Sequence, residues 1–431
     1  MEANFREKDE YGKFYPEYYV IPTDADSQRD IADAYFMQEY FIRNGVQVEK
    51  LTEDVTVDGV TYKAGAFVID MHQISRSFAN AVLYKGKIVK NWTGLYSESV
   101  TNFPELRGFD CTAITKAGVF EGKTADANTV EYGTAWVTTY GNTATVISNN
   151  GLAAVNAVND LLAKGVTVGF ITEAGDHYSK GDFVIDHKDV GQIDDQYVIE
   201  ITHVADVPKA KVITEPKVYV DDDHFDRFAF SRQMNFKTTS DVSEANVVFS
   251  SNEPEEDVQA AVKAGLPFVG ASANILEYAK ATIPGFDFDI QWIIEEGMYG
   301  PEEVYNDYEA LFNVEYADSL ITASYAADGD FTTYTKGGSI ISAYPKEATV
   351  LMRASSEDDF YKAGWWNGID DPEAGLKGHA VAIDYRANGL DMTVFCTSIT
   401  NKAHQTDDYR LATNAIYSKL LGCLLYTSDA A

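Results

Sequence analysis

Gly65-Ala66-Phe67-Val68-Ile69-Asp70 returns further along the chain as Gly181-Asp182-Phe183-Val184-Ile185-Asp186, and the residues before each copy follow the same order. Ahead of the first copy, Tyr18-Tyr19-Val20-Ile21-Pro22 has strand character and Thr23 to Gln28 is a polar turn. Asp30 to Asn44 then carries apolar residues at helical spacing (Ile31, Ala34, Tyr35, Phe41, Ile42), with Gly45 where a C-cap is expected. Val46 to Leu51 reads as the next strand. An exposed, hairpin-like insert, Val55 to Tyr62, precedes Gly65. Ahead of the second copy, Thr143-Ala144-Thr145-Val146-Ile147 is the strand and Ser148-Asn149-Asn150 the capping turn. Leu152 to Lys164 is the helix, Gly165 its stop, and Val166 to Ile171 the next strand. Strand, helix and strand joined by short turns make a βαβ unit, and a repeated unit implies a parallel sheet with covered faces.

A third α/β module follows the linker-like Val207-Pro208-Lys209-Ala210. Lys217-Val218-Tyr219-Val220 is a strand that runs into Asp221-Asp222-Asp223-His224, and Ala245 to Ser250 is another. Asn252 or Glu253 starts a helix with Pro254 in its first turn, ending at Ala264-Gly265. Pro267-Phe268-Val269-Gly270 is a third strand, followed at once by Ala271-Ser272-Ala273-Asn274 and a helix. Beyond about residue 312 the chain becomes strand-rich, closing with strand Met392 to Phe395 and helix Tyr409 to Leu421. The expected organisation is therefore a linker over 1–14, a first α/β module over 15–135, a second over 136–208 repeating it, and a third over 209–422 with a β-rich part.

With 431 residues and 45% apolar content, the chain can build several cores. Its 34 Lys and Arg against 67 Asp and Glu give a net charge of −33. Such a field repels phosphate backbones and anionic lipid, so nucleic acid and membrane surfaces are not expected partners. Three cysteines are too few for a disulfide framework and lack metal-type spacing. No apolar run reaches the roughly 20 residues that span a bilayer.

Among the 7 histidines there is no His-Glu-x-x-His and no His-x-x-Glu. The nearest forms, His203-Val204-Ala205-Asp206 and His404-Gln405-Thr406-Asp407, lack an obvious further ligand and read as loop residues. Asp221, Asp222, Asp223 and His224 stand at a strand's C-terminal end, where open α/β sheets bind ligands, and carboxylates there would suit calcium or magnesium. In a chain this acidic, a solvated Asp run is the simpler account. Ser272 occupies a strand-to-helix turn like a nucleophile elbow, but Asn274 replaces the usual glycine, and capping of the following helix is the simpler role. His379, His404 and His224 are its candidate bases by existence only. No glycine-rich phosphate loop follows any first strand, so no nucleotide cofactor is expected.

Several stretches resemble the region that follows the catalytic domain in bacterial carboxypeptidase A-like zinc metallopeptidases. They are Tyr19 to Val46, Asp54 to Ile69, Ser75-Arg76-Ser77-Phe78-Ala79-Asn80-Ala81-Val82-Leu83 and Tyr96 to Thr112. The third module resembles the glutamine amidotransferase-like domain at the C-terminus of those proteins, with His404-Gln405-Thr406 and Arg410 to Ile416 similar to its closing segment. The resemblance implies two repeated βαβ units followed by a flavodoxin-like, class I glutamine amidotransferase-like domain with a β-rich extension. It implies no cofactor in this chain, with zinc in a peptidase domain upstream in the same polypeptide. That domain and its peptide substrate would be the partners, and the location extracellular or cell-surface bacterial, with a cytoplasmic one also compatible. No residue here inherits a zinc or peptidase role. Ser272 replaces the elbow Cys of a glutaminase, and Cys396-Thr397-Ser398 stands near the position of its His-Pro-Glu. Residues 423–431 resemble translated adapter sequence and are set apart from the fold.

Three functional readings follow. The first is an ancillary, non-catalytic portion of a zinc carboxypeptidase-like protein. The second is a stand-alone α/β protein that binds a small molecule or peptide, and on either binding reading Pro22-Thr23-Asp24 and Ser148-Asn149-Asn150 lie on the same edge of their sheets, facing a crevice. The third is a hydrolase using Ser272.

Overall fold

Strands Tyr18–Ile21 (β1) and Glu49–Leu51 (β2) are joined through helix Ile31–Arg43 (α1) and run in the same direction, yet they are not neighbours. Phe67–Asp70 (β5) lies between them, antiparallel to both. In the computed structural model, which describes residues 15–89, 100–290, 293–297, 300–304, 309–325, 331–336, 338–365 and 375–424, the first sheet is therefore antiparallel throughout. The expected linker over 1–14 lies outside the described residues, as does the tail from 425. The sheet is completed by Thr112–Ile114 (β6) beside β1 and Thr124–Asp126 (β7) beside β2, in the order β6-β1-β5-β2-β7. Val55–Val57 (β3) and Val60–Tyr62 (β4) pair as a hairpin. The hairpin is not simply exposed, because Val55, Val57 and Tyr62 pack with Tyr18, Val20 and Val68 on one face of the sheet. The opposite face carries Tyr19, Ile21, Phe67 and Ile69 against Met37 and Phe41 of α1. This double cover explains why every residue of β1 is buried. Helices Arg76–Leu83 (α2) and Phe103–Arg107 (α3) complete this unit.

The second copy adopts the same internal plan. Trp136–Thr139 (β8) forms an edge, and Ala144–Ile147 (β9), Leu152–Ala163 (α4) and Gly169–Ile171 (β10) repeat strand, helix and strand. Phe183–Asp186 (β11) again inserts antiparallel between the two strands. The register matches residue for residue: Ile21↔Phe67 and Tyr18↔Asp70 in one copy, Ile147↔Phe183 and Ala144↔Asp186 in the other. Each helix ends at a glycine with positive φ, Gly45 at 73° and Gly165 at 78°, and the next N–H turns back to bond the carbonyl of Phe41 or Leu161. Glu200–Val204 (β12) and Ala210–Ile213 (β13) flank this sheet, so residues past the expected boundary at 208 belong to it.

The third module is built on Lys217–Val220 (β14), His224–Phe228 (α5), Lys237–Thr239 (β15), Val247–Ser250 (β16), Glu256–Lys263 (α6), Phe268–Ala271 (β17) and Leu276–Thr282 (α7). Pro254 precedes α6 and its cap Glu255 rather than sitting in the first turn. Strands Asp287–Ile290 (β18), Ile293–Gly297 (β19), Gly300–Val304 (β20), Glu309–Tyr316 (β21), Phe331–Lys336 (β22), Ser339–Ala343 (β23), Ala348–Ala354 (β24) and Tyr361–Trp365 (β25) form the β-rich part. Ala380–Ala387 (β26), Leu390–Phe395 (β27), Tyr409–Lys419 (α8) and Leu421–Leu424 (β28) close the chain, β28 pairing with β13.

The main path of the twelve-stranded sheet is β15-β14-β16-β17-β27-β26-β24-β21-β22. Its first five strands are parallel, and the rest of the path is antiparallel. Numbered along the chain, the parallel strands stand in the doubly wound order 2-1-3-4-5. Val247, Val248, Phe249, Phe268 and Val269 are wholly buried, as a parallel strand covered on both faces requires. The chain is mixed α/β. By contact it divides into two units, one of residues up to Lys85 with Thr101–Trp136 and Asp194–Glu200, the other of the remainder.

Candidate functional site

In a doubly wound sheet, connections leave to opposite faces where the strand order reverses, and a crevice opens beyond the carboxyl ends there. The reversal here falls between β14 and β16. Asp221-Asp222-Asp223-His224 follows one strand and Ser251-Asn252-Glu253 the other. A cavity of about 490 Å³ occupies that position, with Tyr219, Asp221, His224, Ser240, Asn252 and Glu255 among its walls.

The three aspartates have separate tasks. Asp223 caps α5, its Oδ1 accepting the N–H of Phe225 at 2.8 Å and of Asp226 at 3.1 Å. Asp222 is almost fully exposed and pairs with Arg227. Asp221 Oδ1 accepts the Asp223 N–H at 3.1 Å, while Oδ2 lies 2.6 Å from Ser250 Oγ. The His224 ring rests 4.2 Å from that of Phe225. These carboxylates do not converge on one point, because backbone, guanidinium and hydroxyl partners draw them apart. Among the described residues, no group of three or more His, Cys, Asp and Glu side chains could hold a metal ion.

Behind the run lies a residue that the sequence did not single out. Asp226 is wholly buried. Its Oδ1 accepts from Ser251 Oγ at 3.0 Å and from Thr400 Oγ1, while Oδ2 has no hydrogen-bond partner among the described residues. Loss of hydration pushes this carboxyl up to about 7, helped by the charges of Asp221 and Asp223 and opposed by the two hydroxyls. The only sequence cue is an Asp shortly after a capping Asp, which also describes many exposed residues.

Ser272 is placed as a cap. Its φ of 179° and ψ of 174° are extended rather than strained, so the turn does not thrust the side chain out as an elbow does. Its Oγ accepts the Asn274 N–H at 3.0 Å and donates to the Ser251 carbonyl. A hydroxyl committed to a carbonyl is not poised to lose its proton to a base. Of its candidate bases, His224 lies on Phe225 and His404 packs 6.1 Å from the Tyr334 ring.

The turn after β9 is buried at its centre. Asn149 is 2% exposed, its N–H donates to Asp182 Oδ1 at 3.0 Å, and its amide donates to the Gly181 carbonyl and to Asn414 of α8. Burial pushes Asp182 up to about 6, against the pull of the Asn149 and Ser179 N–H groups. The corresponding Pro22 and Thr23 are buried as well, with Gln28 donating to the Pro22 carbonyl at 2.9 Å. At Pro22, Thr23 and Asn149 the two turns are buried rather than open, against the expectation that they face a crevice. The polar side chains there satisfy buried backbone instead.

No family profile matches the sequence, and no curated protein does. Partial structural likenesses exist. A candidate GMP synthase component from Thermoplasma acidophilum aligns at 11% identity over 47% of this chain and 95% of that one, with a TM-score of 0.30. A candidate ThuA-like protein from Parabacteroides merdae aligns at 9% identity over 48% and 92%, with a TM-score of 0.29. A β-galactosidase from Bacillus circulans aligns at 13% identity over 51% and 33%, with a TM-score of 0.28. At such scores these likenesses assign no role to the chain.

Proposed function

We propose that this chain is a non-catalytic binding region, the ancillary portion of a zinc carboxypeptidase-like protein, and that the crevice beyond β14 and β16 receives its ligand. One observation carries the reading. The cavity lies at the switch point of a doubly wound sheet, while Ser272, the candidate nucleophile of the sequence, is engaged as a cap. The 2-1-3-4-5 order agrees with a flavodoxin-like, amidotransferase-like domain. The carboxypeptidase connection rests on the sequence resemblance.

Asp221, Asp222, Asp223, Glu253 and Glu255 line the crevice, so its ligand carries positive charge, as a Lys- or Arg-bearing peptide does. The test is calorimetric titration of the protein with Lys-Arg-Lys-Gly-Lys and with Glu-Asp-Glu-Gly-Glu. Binding of the basic peptide alone, weakened by Asp222→Asn combined with Glu255→Gln, is the expected outcome. Equal binding of both peptides, or of neither, removes the crevice from consideration. The link to a peptidase is tested by reading the locus upstream for an in-frame domain with His-x-x-Glu and a later His.

A further inference from the structure

The walls of a second cavity, of about 360 Å³, reverse the charge of the molecule. It lies among β13, the 319–321 turn, β26, the end of α8 and β28. Lys211, Arg386 and Lys419 line it against one wall carboxylate, Asp384, in a chain whose net charge is −33.

Two of these three cations, Lys419 and Arg386, are held firmly. The Lys419 side chain has 0% exposure, and its ammonium stands 3.3 Å from Asp384 Oδ1 and 2.6 Å from Asp391 Oδ1. Arg386 Nε lies 2.9 Å from Asp384 Oδ2 and 3.4 Å from Asp391 Oδ1, and its Nη2 donates to Ser418 Oγ at 3.0 Å. Asp384 also accepts from Thr393 Oγ1 at 2.6 Å. Two carboxylates are therefore matched by Lys419 and Arg386. The Lys211 ammonium forms no hydrogen bond or ion pair with any described residue and leaves one positive charge over. The remaining walls supply the Ser319 and Ser418 hydroxyls and an apolar side of Leu320, Ile321 and Leu421.

We propose that this cavity binds a small organic carboxylate bearing a short branched apolar group. One uncompensated cation matches a monoanion, since a dianion would bring unbalanced charge against Asp384 and Asp391. The apolar side and the volume suit a few carbons rather than a bare ion, and the size lies at the lower end of ordinary small-molecule sites. The site is separate from the switch-point crevice and does not depend on it.

The test uses the full chain with sodium isovalerate, its uncharged isostere isovaleramide, and inorganic phosphate, all at matched ionic strength in chloride. Saturation-transfer NMR reports contact and thermal unfolding reports stabilisation. The expected result is a concentration-dependent rise in melting temperature and methyl saturation with isovalerate, neither with isovaleramide, and no displacement of isovalerate by equimolar phosphate. Lys211→Gln, at an exposed and unpaired side chain, should leave the melting temperature of the free protein unchanged and weaken isovalerate about tenfold. Absence of isovalerate binding, equal effects of acid and amide, displacement by phosphate, or full affinity in Lys211→Gln would each overturn the assignment.

Discussion

Replacing Asp226 by Asn should flatten the pH dependence of stability between pH 5 and 8. In the folded chain Asp226 titrates near 7, held up first by burial. In an unfolded chain a carboxyl titrates near 3.9. The native state thus keeps a proton that the unfolded state has lost across the window from about 4 to 7. Stability contributed by the retained proton is complete below the lower value and lost as pH rises through the higher one. A difference of about 3 units corresponds to about 4 kcal/mol in all, of which roughly 2–3 kcal/mol falls between pH 5 and 8. For a unit of this size that is about 5–10 °C of melting temperature. The assay is urea and thermal unfolding of wild type and Asp226→Asn at half-unit steps of pH. Asp182 and Asp408, also raised by burial, add to the same downward slope in both proteins. The difference between the two curves therefore isolates Asp226. Asn introduces an amide N–H of its own, so the absolute stabilities are not diagnostic, only the slopes. Parallel slopes for the two proteins would refute the reasoning, because they would mean that no uncompensated charge is buried behind β14.

Two substitutions test structural assignments. Gly181 and Gly65 occupy equivalent positions with φ of 91° and 98°, but a Cβ at Gly181 would stand 2.8 Å from Ala323 Cβ, whereas at Gly65 its nearest neighbour is Thr23 Oγ1 at 3.5 Å. Gly181→Ala should cost about 3 kcal/mol and Gly65→Ala about 1 kcal/mol in denaturant unfolding, and equal costs would show that backbone strain alone decides. Ser272→Ala should lower stability by about 1 kcal/mol through loss of the cap, measured by urea midpoint. A hydrolytic activity abolished by that change with the midpoint unmoved would restore Ser272 as a nucleophile.

Much of the local structure was legible because its causes are local. The helix stops at Gly45 and Gly165, the strands around Phe67-Val68-Ile69 and Phe183-Val184-Ile185, and the cap role of Ser272 each follow from a few adjacent residues. The direction of pairing was not legible. Strand, helix and strand is equally compatible with adjacent parallel strands and with a third strand inserted between them, since both bury the same apolar faces. The Asp221-Asp222-Asp223 run marked the carboxyl end of β14, but its partners decided its chemistry. Arg227, Ser250 and the first N–H groups of α5 disperse carboxylates that the sequence places side by side.

Composition and periodicity by themselves determined that this chain is acidic, mixed α/β and internally repeated, because charge, apolar spacing and turn residues are properties of short segments. Only the tertiary structure decided which polar groups are brought together. Asp226 meets Thr400, Asn149 meets Asn414, and Lys211 shares a cavity with Arg386 and Lys419 across long stretches of chain. Burial and desolvation act through space, so the same side chain is a solvated charge in one place and a perturbed or ligand-facing group in another.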